Sequence, residues 1–214
     1  MKNIRTLLLI SALALPLTAS TCTETKDVEL VLGVPAEFPA QFTSDGSINH
    51  HDDVGVIDLR EELDLANELD DADIDPGDVE EVQVVQVFYR ITQPQAGRSI
   101  ENGELQITRG SGTEGSFVPA VGPVVVASGY TADASAVTPW IDITADLQSG
   151  INVLNALAAD LLAEVQGGPA ATNTAVEYHV IGDSVPAGEA TDLKWEIKVV
   201  IQVVANREFD VPFS

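Results

Sequence analysis

From Leu193 to Val203 every second residue is apolar. Leu193, Trp195, Ile197, Val199, Ile201 and Val203 share one side, while Lys194, Glu196, Lys198 and Gln202 share the other. Successive side chains of a strand point to opposite faces, so this alternation predicts a half-buried strand over 193–204. Shorter runs of the same kind predict strands at Val28–Val34, Ala36–Thr43, Glu104–Arg109, Phe117–Ala127, Trp140–Ile143 and Ala175–Ile181. Phe209–Phe213 predicts a short last one, and Ile48–Ile57 reads as a polar extended piece. Pro35 and Pro39 cannot donate to a ladder and assign their segment to a sheet edge. Val79–Ile91 is a long Val-rich run whose apolar positions change parity between Val84 and Val85. Such a change marks a bulge or a strand buried on both faces.

Two stretches follow a helical period instead. Leu59, Leu63 and Ala66 fall on one face, widened by Leu65 and Leu69. Asp58 is placed to cap that helix, with Glu61 as a capping-box partner, and the helix should end near 69–72. The second runs from about Ala145 to Gln166 with the stripe Leu147, Ile151, Leu154, Ala158, Leu161 and Val165. Gly167-Gly168-Pro169 should stop it. Asp75-Pro76-Gly77-Asp78 predicts a type II turn with positive φ at Gly77. Seven to nine strands, two helices and short Gly-, Pro- or Asp-rich links predict a mainly β fold. The expected architecture is an antiparallel β-sandwich-like domain carrying two amphipathic helices, spanning residues 28–214.

The first 21 residues have another character. Lys2 and Arg5 precede an apolar run from Leu7 to Leu15, then Pro16 and small polar residues. That order is a secretory signal peptide; the run is shorter than the roughly 20 residues that span a bilayer. It ends at Ala19-Ser20-Thr21-Cys22, followed by a short polar tether over 22–27. The box resembles the signal of bacterial envelope lipoproteins, in which the last cysteine carries the lipid. It departs at Ala19, where Leu is usual, and at Thr21, where Gly or Ala is usual. The resemblance implies lipidation of Cys22 and attachment to a membrane through that lipid. Plain secretion with a cut after Ala19 or Ser20 is the alternative. Cys22 is the single cysteine, so no internal disulfide is open to it.

Charge narrows the partners. Acids outnumber bases 34 to 10, for a net charge of −24. Phosphate binding needs clustered Lys and Arg, so nucleic acid is excluded as a partner. Within Asp58–Glu81 the acids are opposed only by Arg60. Asp71, Asp73 and Asp75 have the spacing that opens a Ca²⁺ loop, making Ca²⁺ the candidate ion. Pro76 stands where that loop needs glycine, and Val82 where it needs its closing Glu. In "INHHDD", His50 with Asp52 or His51 with Asp53 shares a face of an extended segment and could reach one metal. "VIGDSVPAG", Val180 to Gly188, resembles the nucleophile block of the GDS-type serine esterases around Ser184. No histidine follows Ser184, and none of the three histidines has an Asp three residues before it. The stretch therefore predicts a hairpin turn at Gly182, Asp183 and Pro186. The sequence expectation is a non-catalytic exported protein of structural or binding role, with an apolar-ligand carrier or a Ca²⁺-dependent adhesion module as alternatives. Its protein or ligand partner stays unspecified.

Overall fold

The computed structural model describes residues 25–210, with side chains over 29–206. Two antiparallel sheets face each other. The first has the order β1-β9-β3-β7, from Thr25–Ser44, Thr191–Asp210, Val79–Gln93 and Ile141–Asp142. The second has β2 (His50–Asp58), β8 (Ala175–Val185), β4 (Ser99–Ser111) and then β6 (Val124–Asp133), with the two-residue β5 (Val118–Pro119) also on β4. Leu30 pairs with Ala205, Val54 with His179, Tyr89 with Ile141 and Leu105 with Ala127. As one partner's number climbs, the other's falls by a similar amount. The chain is thus one long hairpin, rolled so that its successive rungs land alternately in the two sheets. Eight strands wound this way make a jelly roll, a β-sandwich in which the first and last described strands pair in the first sheet.

The expected sandwich is what forms, and its core is the alternation read above. Leu193, Trp195, Ile197, Val199, Ile201 and Val203 are all buried, against Val34, Ala36, Phe38, Ala40 and Phe42 of β1. β1 is one continuous strand rather than two, because Pro35 interrupts no hydrogen bond to β9. β1 is the edge strand, as its prolines demanded. Gln41, of the same parity as Pro35 and Pro39, sends its N–H away from β9 to Asp53 Oδ2 (2.8 Å). The prolines thus sit where an N–H would point off the open edge. The parity change in β3 is a bulge between Val84 and Gln86, which turns both Val84 and Val87 inward.

The opposite edge of the first sheet is closed by side chains. β7 covers only Phe88 and Tyr89 of β3. Elsewhere Val84 N–H donates to Asn155 Oδ1 (2.7 Å), Val87 N–H to Thr144 Oγ1 (3.2 Å) and Ile91 N–H to Thr138 Oγ1 (2.9 Å). Over the outer face, Trp140 is held by the Arg90 guanidinium (4.3 Å) and the Lys198 ammonium (4.2 Å).

The helices depart most from expectation. The first is two short ones, α1 (Leu59–Leu63) and α2 (Leu65–Asp71), broken at Asp64 with φ 44°. An unbroken helix would put Leu65 and Leu69 on another side from Leu59 and Leu63. The break turns all four inward and leaves Ala66 exposed. Asp58 does cap α1, accepting Arg60 N–H (3.0 Å). The long helix, α3, spans only Ile151–Val165; Leu147 lies before it, bridged to Ala127. Its end is as predicted: Gly167 has φ 87°, with Gly167 N–H on Glu164 O and Gly168 N–H on Ala163 O. Pro76–Asp78 is a 3-10 turn, not type II, because Asp75 Oδ1 accepts Gly77 N–H (2.8 Å). No described helix is long and apolar enough to cross a membrane. Cys22 and the last four residues lie outside the described segment, as do the leader and the start of the tether.

Candidate functional site

The predicted site residues are dispersed by strand geometry. β2 pairs His50 with Asp183, His51 with Gly182, Asp52 with Ile181 and Val54 with His179. Even-numbered β2 residues face outward, so His50 and Asp52 do share a face, as expected. They take different partners. His50 Nδ1 meets Asp183 Oδ1 at 2.8 Å, and Asn102 Nδ2 donates to the other Asp183 oxygen (2.8 Å). These two contacts, Asn102 first, hold the Asp183 carboxyl below its usual range. Asp52 Oδ1 instead meets His179 Nδ1 at 2.9 Å. Asp53, the expected companion of His51, is the cap on the β1 edge.

His51 faces inward. It is 5% exposed and stacks on Phe42, with centroids 4.6 Å apart. Its Nε2 lies 3.1 Å from Ser184 Oγ, which also accepts from Thr191 Oγ1–H (3.1 Å). The search for a base downstream of Ser184 could not find this partner, which lies 133 residues upstream. Ser184 is 1% exposed. Gly182, Asp183 and Ser184 belong to β8 rather than to a turn; the reversal comes later, at Pro186–Gly188. Arg98, 3% exposed, supports that reversal by donating to the carbonyls of Pro186 and Ala190 (the latter at 2.7 Å). Burial pushes the His51 imidazole below its ordinary 6.5, with repulsion from His50 and Arg98 adding to it against Asp183.

In the acidic segment, Asp71 ends α2, Asp73 has φ 55° and the Asp75 carboxylate is engaged by Gly77 N–H. Among the described residues, no three His, Cys, Asp or Glu side chains are grouped to hold a metal ion.

The site the sequence did not single out is a groove of about 690 Å³ on the outer face of the second sheet. Register builds its floor: Asp52 from β2, Glu177, His179 and Ile181 from β8, Gln106 and Thr108 from β4. The link from β5 to β6, Pro119-Ala120-Val121-Gly122-Pro123, forms the wall. His179 is flanked by two carboxylates, Asp52 at 2.9 Å and Glu177 Oε1 at 3.8 Å. The Glu177-x-His179-x-Ile181 alternation was visible in the sequence. Its placement beside Asp52 required the pairing of strands far apart in the chain.

No protein-family model matches the chain, and no curated protein matches it. Solved structures similar to it include one titled Desmodium yellow mottle tymovirus, at 12% identity, covering 100% of both chains with a TM-score of 0.28. Another is titled crystal structure of 60-mer BFDV capsid protein, at 15% identity, covering 88% of this chain and 98% of that one with a TM-score of 0.30. At these scores neither bears on function, and the fold description stands on the strand order.

Proposed function

We propose that this is an exported, non-catalytic binding protein, tethered to a membrane of the cell envelope through a lipid on Cys22. The address is supported by the charged, then apolar, then small-residue order of the first 21 residues and by the cysteine that ends the box. The action is supported chiefly by the open groove, whose floor is drawn from three strands. A carrier of an apolar ligand has less support. Trp195, Phe38, Phe42, Leu105 and Ile107 fill the space between the sheets with fully buried side chains. Ser184, the residue with a hydrolytic resemblance, is held by Thr191 and His51 in the buried layer, which favours a structural role for it.

Intact-mass analysis of the protein recovered from a bacterial cell tests the address. The expected product begins at Cys22 and carries a diacylglyceryl group. A product beginning, unmodified, at residue 20 or 21 rejects the anchor and leaves secretion.

A further inference from the structure

The open edge of β1 is guarded along only part of its length. Its odd-numbered residues turn both backbone groups away from β9. Gln41 N–H reaches Asp53 Oδ2 (2.8 Å), and the Pro39 carbonyl accepts the Tyr178 hydroxyl (3.0 Å). The register with β9 is unbroken from Thr25 to Ser44, so the same parity holds for Glu29, Val31 and Gly33. The N–H and C=O groups of these three have no partner among the described residues. Such a run is a template for another strand, and folded proteins block it with proline, inward charge or a covering element. From Pro35 to Gln41, β1 has Pro35, Pro39 and the Asp53 cap. The neighbouring edge, β2, turns Asp53 to its inner side and Asp52 to its outer side. Between Glu29 and Gly33 there is no proline, and the inward residues are Leu30 and Leu32, packed on the core.

The surroundings of that run select what pairs with it. Val31 faces outward, 49% exposed, beside Val204; Gly33 lies beside Gln202 and Pro35 beside Val200. These six residues form an uncharged strip on a molecule of net charge −24. Two copies of the chain repel each other over most of their surfaces and least along this strip. The run is also self-complementary. Antiparallel pairing about Val31 sets Val31 against Val31 of a second copy, an apolar cross-strand pair, and Glu29 against Gly33, which has no side chain. Centring on Glu29 opposes that carboxylate to itself, and centring on Gly33 opposes Glu29 to Glu37. Centring on Leu30 or Leu32 breaks the Val31 pair.

We infer that two copies of this chain join edge to edge through β1, as an antiparallel pair about Val31 that continues the first sheet across a two-fold axis. The dimer depends neither on the groove nor on the anchor.

The test is sedimentation equilibrium of the purified protein, with amide hydrogen exchange followed at the same concentrations. A reversible monomer–dimer equilibrium is expected, and raising NaCl from about 0.05 to 0.5 M should strengthen it by screening the repulsion. The amides of Glu29, Val31 and Gly33 should gain protection as the dimer fills, while those of Asp52 and Val54 on the β2 edge should not. Val31→Pro deletes the central donor at a parity where β1 already carries Pro35 and Pro39, so the monomer should keep its urea midpoint. The dimer should weaken about tenfold or more with the loss of its central hydrogen bonds. Val31→Asp keeps every backbone donor, sets two carboxylates opposite each other and should also weaken the dimer. The inference is overturned if the protein stays monomeric up to about millimolar concentration in 0.5 M NaCl, or if the concentration-dependent protection falls on β2. It is overturned equally if both Val31 variants dimerise as the native chain does, or if assembly runs past the dimer into open chains.

Discussion

At the scale of residues, one histidine converts a sequence ambiguity into a measurable property. His51 and Asp53 were alike candidates for one metal, but strand alternation sends His51 into the buried layer and Asp53 to the β1 edge. The lowered pKa of His51 has a defined consequence. The unfolded chain takes up a proton near 6.5, whereas the folded one does so only at lower pH. Stability linked to neutral His51 is therefore complete above 6.5 and declines as the pH falls from 6.5 towards the folded value. Urea midpoints measured from pH 7.5 to 5 should drop in the native protein and drop less in His51→Gln. Equal slopes would show that His51 does not carry the effect. Two other buried groups, Tyr130 Oη and Trp195 Nε1, make no hydrogen bond among the described residues; an unsatisfied buried polar group costs about 1–3 kcal/mol.

At the scale of elements, the two edges of the first sheet are guarded in different ways. β1 uses proline and the Asp53 cap, both of which remove donors from its open side. β3 borrows acceptors from Asn155, Thr144 and Thr138. Asn155→Ala strips the acceptor from Val84 N–H while leaving α3 a better helix former. The variant should nonetheless lose about 1–3 kcal/mol, read as a lowered urea midpoint, because the orphaned N–H outweighs propensity. A neutral or raised midpoint would mean that water replaces the amide without loss. The prolines of β1, the bulge of β3 and the glycine stop of α3 were legible because each is a local steric fact. The break at Asp64 was not. Leu59, Leu63, Leu65 and Leu69 must all reach one core, and that demand comes from the sheets beneath them.

Across the whole molecule, charge is the dominant departure from an ordinary domain. With a net of −24, the folded state concentrates repulsion that the expanded chain relieves. Raising NaCl from 0.05 to 0.5 M should lift the melting temperature by a few degrees, at about 2–4 °C per kcal/mol for a chain of this size. A fall would indicate that pairs such as Arg90 with Glu196 and Arg109 with Asp160 outweigh the general repulsion. The rolled hairpin also explains why its first and last strands are neighbours. β1 and β9 pair along their whole lengths, so Thr25 and Asp210, the first and last described residues, lie opposite each other.

The sequence by itself determined the class of the fold, the buried face of the last strand, the edge position of β1, the parity change in β3 and the acidity of the surface. These follow from period, sterics and composition, which act within a few residues. The tertiary structure alone decided which strands pair and in what register. That register put His51 on Ser184, separated Asp53 from His51, and laid Asp52, Glu177, His179 and Thr108 into one groove. Pairing across more than a hundred residues is fixed by how the rolled hairpin closes its core as a unit, and no local pattern carries that information.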